Sequence, residues 1–425
     1  MARIVLCTFG SLGDLHPVLA IGRELTQRGI STALATSPGY RAKVEASGIE
    51  FHPVGPDIRI DDPAILKRAM HPSDGTRYIF CELVLPYLRQ SYEETAAIAR
   101  NADLIVTHPV TLGAYLYARK FAMPWASLAL APVSMLSCYD MCVFPGFPAR
   151  EWLAQRGPRT QRFIMKLIER IFEPYWKPYR AFERELGLPR SRNPILFGHS
   201  PQLALALFSP MLASPQPDWP PNAHVTGFPF FDQEETITPV LQKFLESGEP
   251  PIVFTLGSAA VGAAGDFFHQ SVEVARILGR RAVLLVGNDP ANHPAVDLPE
   301  GVIAIPYVPH AAIFPRASVN VHQGGIGTTA EAMRAGRPML VVPYSHDQPD
   351  HACRLKKLGV ARSLRREEYN ARSAAREISE LLRNPSYSNR AAEIGATVRE
   401  EQGVHAACDL LEDLVKRGEA RSTVA

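Results

Sequence analysis

Two parallel, doubly wound α/β domains facing one another across a cleft are what this 425-residue sequence predicts. Three observations carry the expectation. Strand-like apolar runs alternate with helix-like segments of ten or more residues, the rhythm of parallel sheets closed by right-handed crossovers. That rhythm occurs twice, each time opening on a strand that ends in Gly-Ser: Thr8-Phe9-Gly10-Ser11 and Thr255-Leu256-Gly257-Ser258. The chain is also too long for one ordinary hydrophobic core.

The first half runs from RIVLCTFGS (Arg3–Ser11) through STALATS, DLIVTH and WASLALA to VTGFPFFD. The second runs from IVFTLGS (Ile252–Ser258) through RAVLLVG, VIAIPY and SVNVHQ to PMLVVP. Between them, EETITPVLQKFLESGEPP is charged, holds one short helix-like turn and ends in a proline pair, the composition of a linker. The division is therefore residues 1–232 for the first domain, 233–249 for the linker and 250–385 for the second domain. Residues 386–425 form a closing helical stretch placed to pack back on the first domain.

The stretch from Arg150 to Leu188 breaks the alternation. Phe163, Leu167, Ile171 and Tyr175 recur at helical spacing, with Arg162, Lys166 and Arg170 on another face. The expectation is an amphipathic insert whose apolar row packs on the first domain. A second reading makes it a greasy, basic lip that touches a membrane surface or receives an apolar substrate, with Phe172, Tyr175 and Trp176 as its aromatics.

Composition removes several function classes. A net charge of +2 and the lack of a Lys/Arg run give no electrostatic case for nucleic acid. Six scattered cysteines, with only Cys138 and Cys142 close together, make no zinc set and read as reduced, buried thiols. The opening MARIVLCTFGSLGD reaches a turn too early for a signal peptide, and no apolar run has the length of a membrane span, so a cytoplasmic protein is expected.

The chemistry concentrates between Tyr307 and His351. GGIGTT follows a strand and starts a helix, so backbone N–H groups and the positive end of a helix dipole meet at Gly324, Gly325 and Gly327, with hydroxyls from Thr328 and Thr329. Upstream, Tyr307 offers a flat face for a base and Val308 a backbone edge. Downstream, Glu331 lies one helical turn on, where a ribose would sit beside the phosphates. Asp347 and Gln348 follow the next strand, in position to bind hydroxyls. Stacking face, ribose acid, phosphate cradle and hydroxyl clamp together describe a nucleotide sugar. The cluster His346, Asp347, Asp350 and His351 admits a metal reading, but capping and hydroxyl contacts explain it better at a helix start, and no D-x-D occurs in the chain.

This set resembles the donor signature of the family 1 glycosyltransferases, nucleotide-sugar-dependent enzymes that glycosylate small molecules and lipids. The shared features are Tyr307-Val-Pro-His310, the G-G-x-G-T-T turn, Glu331, Gly336-x-Pro338 and Asp347-Gln348. The opening GSLGDLHP is also similar to the G-S-x-G-D-x-x-P start of bacterial members that act on antibiotics, sterols and rhamnolipids. The resemblance implies the GT-B fold, two Rossmann-like domains with donor on the second and acceptor on the first. It further implies inverting transfer without metal or resident cofactor, the nucleotide sugar (UDP-glucose foremost, dTDP-sugars open) serving as co-substrate.

Carried over position by position, the likeness implies that Gly257 and Ser258 approach the phosphates, with Ser11 and Gly13 of the first turn facing the same donor. Tyr307 stacks on the base, where plant members have Trp, and His310 stands where they have Gln. Gly324, Gly325, Gly327, Thr328 and Thr329 hold the pyrophosphate, Glu331 the ribose, Asp347 and Gln348 the sugar. One departure stands out: the family's usual phosphate-contacting His is Gln323 here, with His322 one residue earlier. Gln323 is the expected replacement, a neutral donor in place of a charged one. In the first domain Asp14 matches the general base, and His16 is the alternative. Asp14 taken alone reads as a helix N-cap carboxylate. His108, ending a strand, serves equally as a packed histidine or an acceptor contact. Two other readings share the architecture: a sugar-nucleotide epimerase, and a non-catalytic nucleotide-sugar-binding protein.

Overall fold

The computed structural model describes residues 2–57, 62–145, 152, 156–232, 237–294 and 298–422. Two parallel sheets organise it. The first has seven strands: β1 (Arg3–Cys7), β2 (Ser31–Thr36), β3 (Glu50–Pro53), β4 (Leu104–Thr107), β5 (Trp125–Ala129), β6 (Ala204–Ala206) and β7 (Ala223–Val225). Their order across the sheet is β3-β2-β1-β4-β5-β6-β7. The second has six: β8 (Ile252–Thr255), β9 (Ala282–Leu285), β10 (Val302–Ile305), β11 (Val319–His322), β12 (Met339–Val341) and β13 (Ala361–Ser363), ordered β10-β9-β8-β11-β12-β13. Each sheet is covered by helices on both faces, which is why its central strands are apolar throughout rather than alternating: β4 and β8 are buried at every residue.

Both sheets reverse direction next to their first strand. The chain winds outward from β1 to β3, then returns to place β4 on the other side, and β8 and β11 repeat the arrangement. Ligands of open α/β sheets bind outside the carboxyl ends of the strands at such reversals. The Gly-Ser turns after β1 and β8 sit at these two points.

The connecting segment is more ordered than its composition suggests. Residues 233–236 lie outside the described set, but Pro239–Glu246 is a helix capped by Thr238, with Leu241 and Leu245 buried in the core shared with the second sheet. Of the two closing helices, Pro385–Glu400 packs on the second domain, with Ala391, Ile394 and Val398 beside Met333, and only Gly403–Ser422 returns to the first. Ala407, Cys408, Leu411, Leu414 and Val415 pack with Ile21, Leu25 and Leu205, and Arg28 pairs with Asp409 at 2.5 Å and Glu412 at 2.8 Å. Each such leucine contributes about 1.5–3 kcal/mol when buried.

The insert departs from expectation. Pro158–Phe172 is helical, but Phe163, Leu167 and Ile171 are 68%, 48% and 54% exposed. The face that packs is the neighbouring one: Met165, Ile164 and Ile168 meet Leu136, Cys138, Met141 and Phe197. Of the aromatics after it, Trp176 is buried in the core while Phe172 and Tyr175 are exposed. No helix among the described residues is long and apolar enough to cross a membrane.

Candidate active site

The second domain's half of the site is built at the ends of β8 and β11. β11 ends at His322, the chain turns through Gln323 and Gly324, and the helix Ile326–Ala335 begins with Gly325 as its cap. Alternation along the strand sends the two candidate side chains to opposite sides. His322 is fully buried, accepts the Gly324 N–H at 3.1 Å through Nδ1, and is pushed down to about 3 by burial and by His310 and His351 nearby. It is therefore a neutral prop behind the turn, not a group in it, which corrects its place among the donor contacts. Gln323 points forward. Its Nε2 donates to Thr328 Oγ1 at 3.3 Å, its Oε1 has no partner among the described residues, and it lies against Gly257. A Cβ on Gly257 would come within 2.3 Å of that Nε2, and Gly257 has φ of +62°, so only glycine leaves the amide its place. Thr329 Oγ1 is also buried without a partner among the described residues, and Ser258 is exposed at the mouth.

Around this turn, Tyr307 is 59% exposed, whereas Val308 is buried and contributes only its backbone edge. His310 stacks on Phe314 at 4.4 Å and is pushed down to about 4 by burial and by His16. Glu331 is half-buried, and burial pushes its carboxyl up to about 7 despite Arg334 at 2.9 Å. Arg334 in turn holds Asp232 at 2.8 Å, tying the helix Ile326–Ala335 to the end of the first domain.

Asp347 and Gln348 separate. Burial and the facing charge of Asp14 raise the Asp347 carboxyl, while His351 lies 3.8 Å away. Gln348 turns back into its own loop, its Oε1 accepting the N–H groups of Tyr344 at 2.8 Å and Ser345 at 3.2 Å, with its amide nitrogen toward Met70. In this arrangement it shapes the loop, and Asp347 alone of the pair is turned toward the cleft. The side chains of the His346–His351 cluster are turned to different partners. Asp350 binds Arg354 at 2.7 Å and the Val143 N–H at 2.9 Å, and His351 bonds the Gly324 carbonyl at 2.7 Å. No group of three or more ligating side chains converges among the described residues.

The first domain supplies the other half. The helix Leu12–Gln27 starts directly after β1, with Ser11 as its cap. Asp14, on the first turn, accepts the Ser11 N–H at 2.8 Å and the Ser11 hydroxyl at 3.1 Å through one oxygen. Its other oxygen faces His108 Nε2 at 3.5 Å, and His108 Nδ1 is buried without a partner among the described residues. Asp14 is thus not the N-cap, which is Ser11, but the reciprocal acid of a capping box, and it is held at the cleft. His16 turns elsewhere, because two residues along a helix is more than half a turn. It lies against Phe231 at 5.3 Å and Lys43 at 3.4 Å, pushed down to about 4 by burial and that lysine. This removes it from the position of an alternative base. Beside Asp14, a narrow cleft is lined by His108, Leu112, Tyr115, Ser127, Ile195 and His199. Ser200, in the loop between the insert and β6, is buried and donates to the Trp125 carbonyl at 2.6 Å.

The halves meet. The space beside Gly327 reaches the Gly13 Cα at 3.6 Å, so two helix starts, both glycine-edged, confront one another. Across the same gap Thr76 Oγ1 lies 3.1 Å from His346 Nδ1, and His346 has φ of +57°, a conformation non-glycine residues seldom hold. Sequence reasoning missed His346 as a cleft residue and left the role of His108 open. The pairing of His108 with Asp14 follows only from β4 lying beside β1.

Two Rossmann-like sheets, each with its reversal point turned toward a common cleft, define a GT-B protein. Similarity to known proteins agrees. A glycosyltransferase family 28 N-terminal domain matches residues 4–104, and an erythromycin biosynthesis protein CIII-like C-terminal domain matches residues 282–404. The O-mycaminosyltylonolide 6-deoxyallosyltransferase of Streptomyces fradiae is 32% identical over 97% of both chains. Among solved structures, the glycotransferase of kitacinnamycin aligns with a TM-score of 0.73 at 22% identity, covering 97% of this chain and 99% of that one. VinC in complex with dTDP aligns at 0.68 and 20% identity, over 98% and 100%. The chain belongs to the family 1 GT-B glycosyltransferases of the antibiotic type.

Proposed function

We propose that this glycosyltransferase moves a sugar from a nucleoside diphosphate to a hydroxyl of a hydrophobic or aromatic small molecule, with inversion and without metal. The observation that carries the reading is the confrontation of Gly13 and Gly327. It brings the start of the helix that bears Asp14 against the turn built around Gln323. A diphosphate on that turn gains negative charge as the sugar departs. The N–H groups of the helix start, Thr328, Thr329, Gln323 and Ser258 are donors already in place for it. The acceptor hydroxyl meets Asp14 on the side of His108, outside the crevice of about 10 Å³ lined by Leu112, Tyr115 and Ile195, which is too small to hold a ring. The hydroxyl proton passes to Asp14 as the oxygen bonds to the anomeric carbon. Asp347 receives sugar hydroxyls, Glu331 the ribose and Tyr307 the base.

UDP-glucose is the donor the sequence resemblance favours. A dTDP-linked deoxysugar is the second reading, supported by the 6-deoxyallosyl transfer of the Streptomyces relative and by the dTDP complex of VinC. A thermal-shift screen of UDP, dTDP and their sugars decides between them. A ligand at a hundred times its Kd stabilises the fold by about 2.7 kcal/mol. Stabilisation by neither nucleotide would contradict the reading.

A further inference from the structure

The exposed row on the helix Pro158–Phe172 takes no part in the site described above. Phe163, Leu167 and Ile171 follow one another a turn apart on the outer side, while the inner side is already occupied by the packing of Met165, Ile164 and Ile168. Soluble proteins scatter single apolar residues over their surfaces, but a contiguous row marks a surface that meets something. Its neighbours indicate what. Arg159, Lys166 and Arg170 run beside the row on the same outward half of the helix, and all three are exposed.

The charge is local. Residues 156–177 contain six Lys or Arg against two Glu, in a chain whose net charge is only +2. Both glutamates are engaged elsewhere, Glu169 with Arg192 at 3.3 Å and Glu173 with Arg190 at 2.7 Å. Arg159, Lys166 and Arg170 have no ion pair with a described residue.

We infer that this helix is a docking surface for an anionic lipid bilayer. An apolar row with a parallel basic row along a straight helix of 15 residues is the pattern that lies flat in an interface, apolar side chains below the phosphates and cations among them. A second copy of the chain fits less well, because an antiparallel two-fold contact would set basic row against basic row and a parallel one would leave both basic rows without an anionic partner. Phe172 and Tyr175, 40% and 43% exposed, continue the surface, and Tyr175 also lines a cavity of about 390 Å³ with Leu85, Pro86 and Pro174. The bilayer would therefore lie beside an opening in the acceptor domain. The inference does not depend on the donor or base assignments.

Vesicle flotation tests it, using full-length protein with phosphatidylcholine vesicles that contain or lack phosphatidylglycerol. The wild type should float with the phosphatidylglycerol vesicles, release as salt rises, and leave pure phosphatidylcholine largely unbound. F163S/L167S/I171S and K166E/R170E should each lower binding by at least about tenfold. Both should keep the wild-type melting temperature and transfer to a soluble acceptor, since they change only exposed positions. No flotation of the wild type, equal flotation of the triple variant, or equal binding to both vesicle types overturns the inference. So does a wild-type dimer, seen by light scattering, that the triple variant dissolves, because the row would then be covered by a second copy.

Discussion

The turn after β1 and the turn after β8 begin from nearly the same four residues and end as different devices. In the first, Gly10 has φ of +138°, and a Cβ there would fall 2.3 Å from Asp14 Oδ2, so the missing side chain makes room for an acid from the turn's own helix. In the second, the Cβ absent from Gly257 makes room for Gln323, which arrives from the partner strand β11. One motif shelters a carboxylate and the other an amide donor. The difference lies in the element that comes next in the chain. A 16-residue helix carries Asp14 back over the first turn, whereas only the short helix Gly257–Ala260 succeeds the second and leaves its glycine open to the neighbouring strand. A Gly-Ser turn thus sets the space, and the adjacent strand or helix sets the chemistry.

The sharpest way to break the comparison is Asp14→Asn. It should reduce turnover by about 10²–10⁴-fold, the usual contribution of a positioned general base, and leave donor affinity within about twofold. Turnover near wild type in that variant would place the base elsewhere, with His108 the first group to test. Next in size is Gly257→Ala. An alanine at positive φ costs about 1–2 kcal/mol and displaces Gln323, so donor affinity should fall by roughly a hundredfold while acceptor binding holds, measured by calorimetry. Gln323→Leu keeps the volume and removes the amide, both its N–H donors and its unpartnered Oε1, and roughly tenfold weaker nucleotide binding is expected. An unchanged Kd would mean that Gln323 merely fills space.

The smallest effect concerns Glu331. Its carboxyl is raised to about 7 from an ordinary 4.5, so it adds stability that is whole below 4.5 and is lost as pH rises through 7. Ribose hydroxyls donate to the ionised form, so donor affinity should rise over the same interval. Glu331→Gln should flatten both profiles, read as melting temperature and donor Kd between about pH 5 and 8. Profiles that keep their slope would remove Glu331 from the ribose.

Much of this was legible in the sequence because long apolar runs and glycine turns report local requirements. Nine of the expected runs hold strands, whereas VTGFPFFD shares only Val225 with β7, which is Ala223–Val225. β3, β6 and β13 do not announce themselves: β3 (EFHP) and β13 (ARS) are edge strands with little apolar content, and β6 hides behind the insert. Spacing identified Pro158–Phe172 as a helix but named the wrong face, since Phe163, Leu167 and Ile171 repeat as regularly as the Ile164, Met165 and Ile168 side that packs. In the site, the glycine turn and Asp347 were read from their own segment, and Asp14 was singled out by the resemblance alone. Neither could show that His322 faces inward, that Gln348 is consumed by its own loop, or that β4 carries His108 to Asp14. Those depend on strand neighbours and loop closure, which no local pattern encodes.

The central claim is that the turn between β11 and its helix holds a diphosphate whose sugar faces Asp14. A crystal structure with UDP or dTDP bound tests it most directly. The account predicts phosphate oxygens within hydrogen-bond distance of Gln323, Thr328 and the N–H groups at the helix start, with the free phosphate end directed toward Asp14. A nucleotide seated elsewhere in the second domain, or bound there with its phosphates directed away from the first, would contradict it.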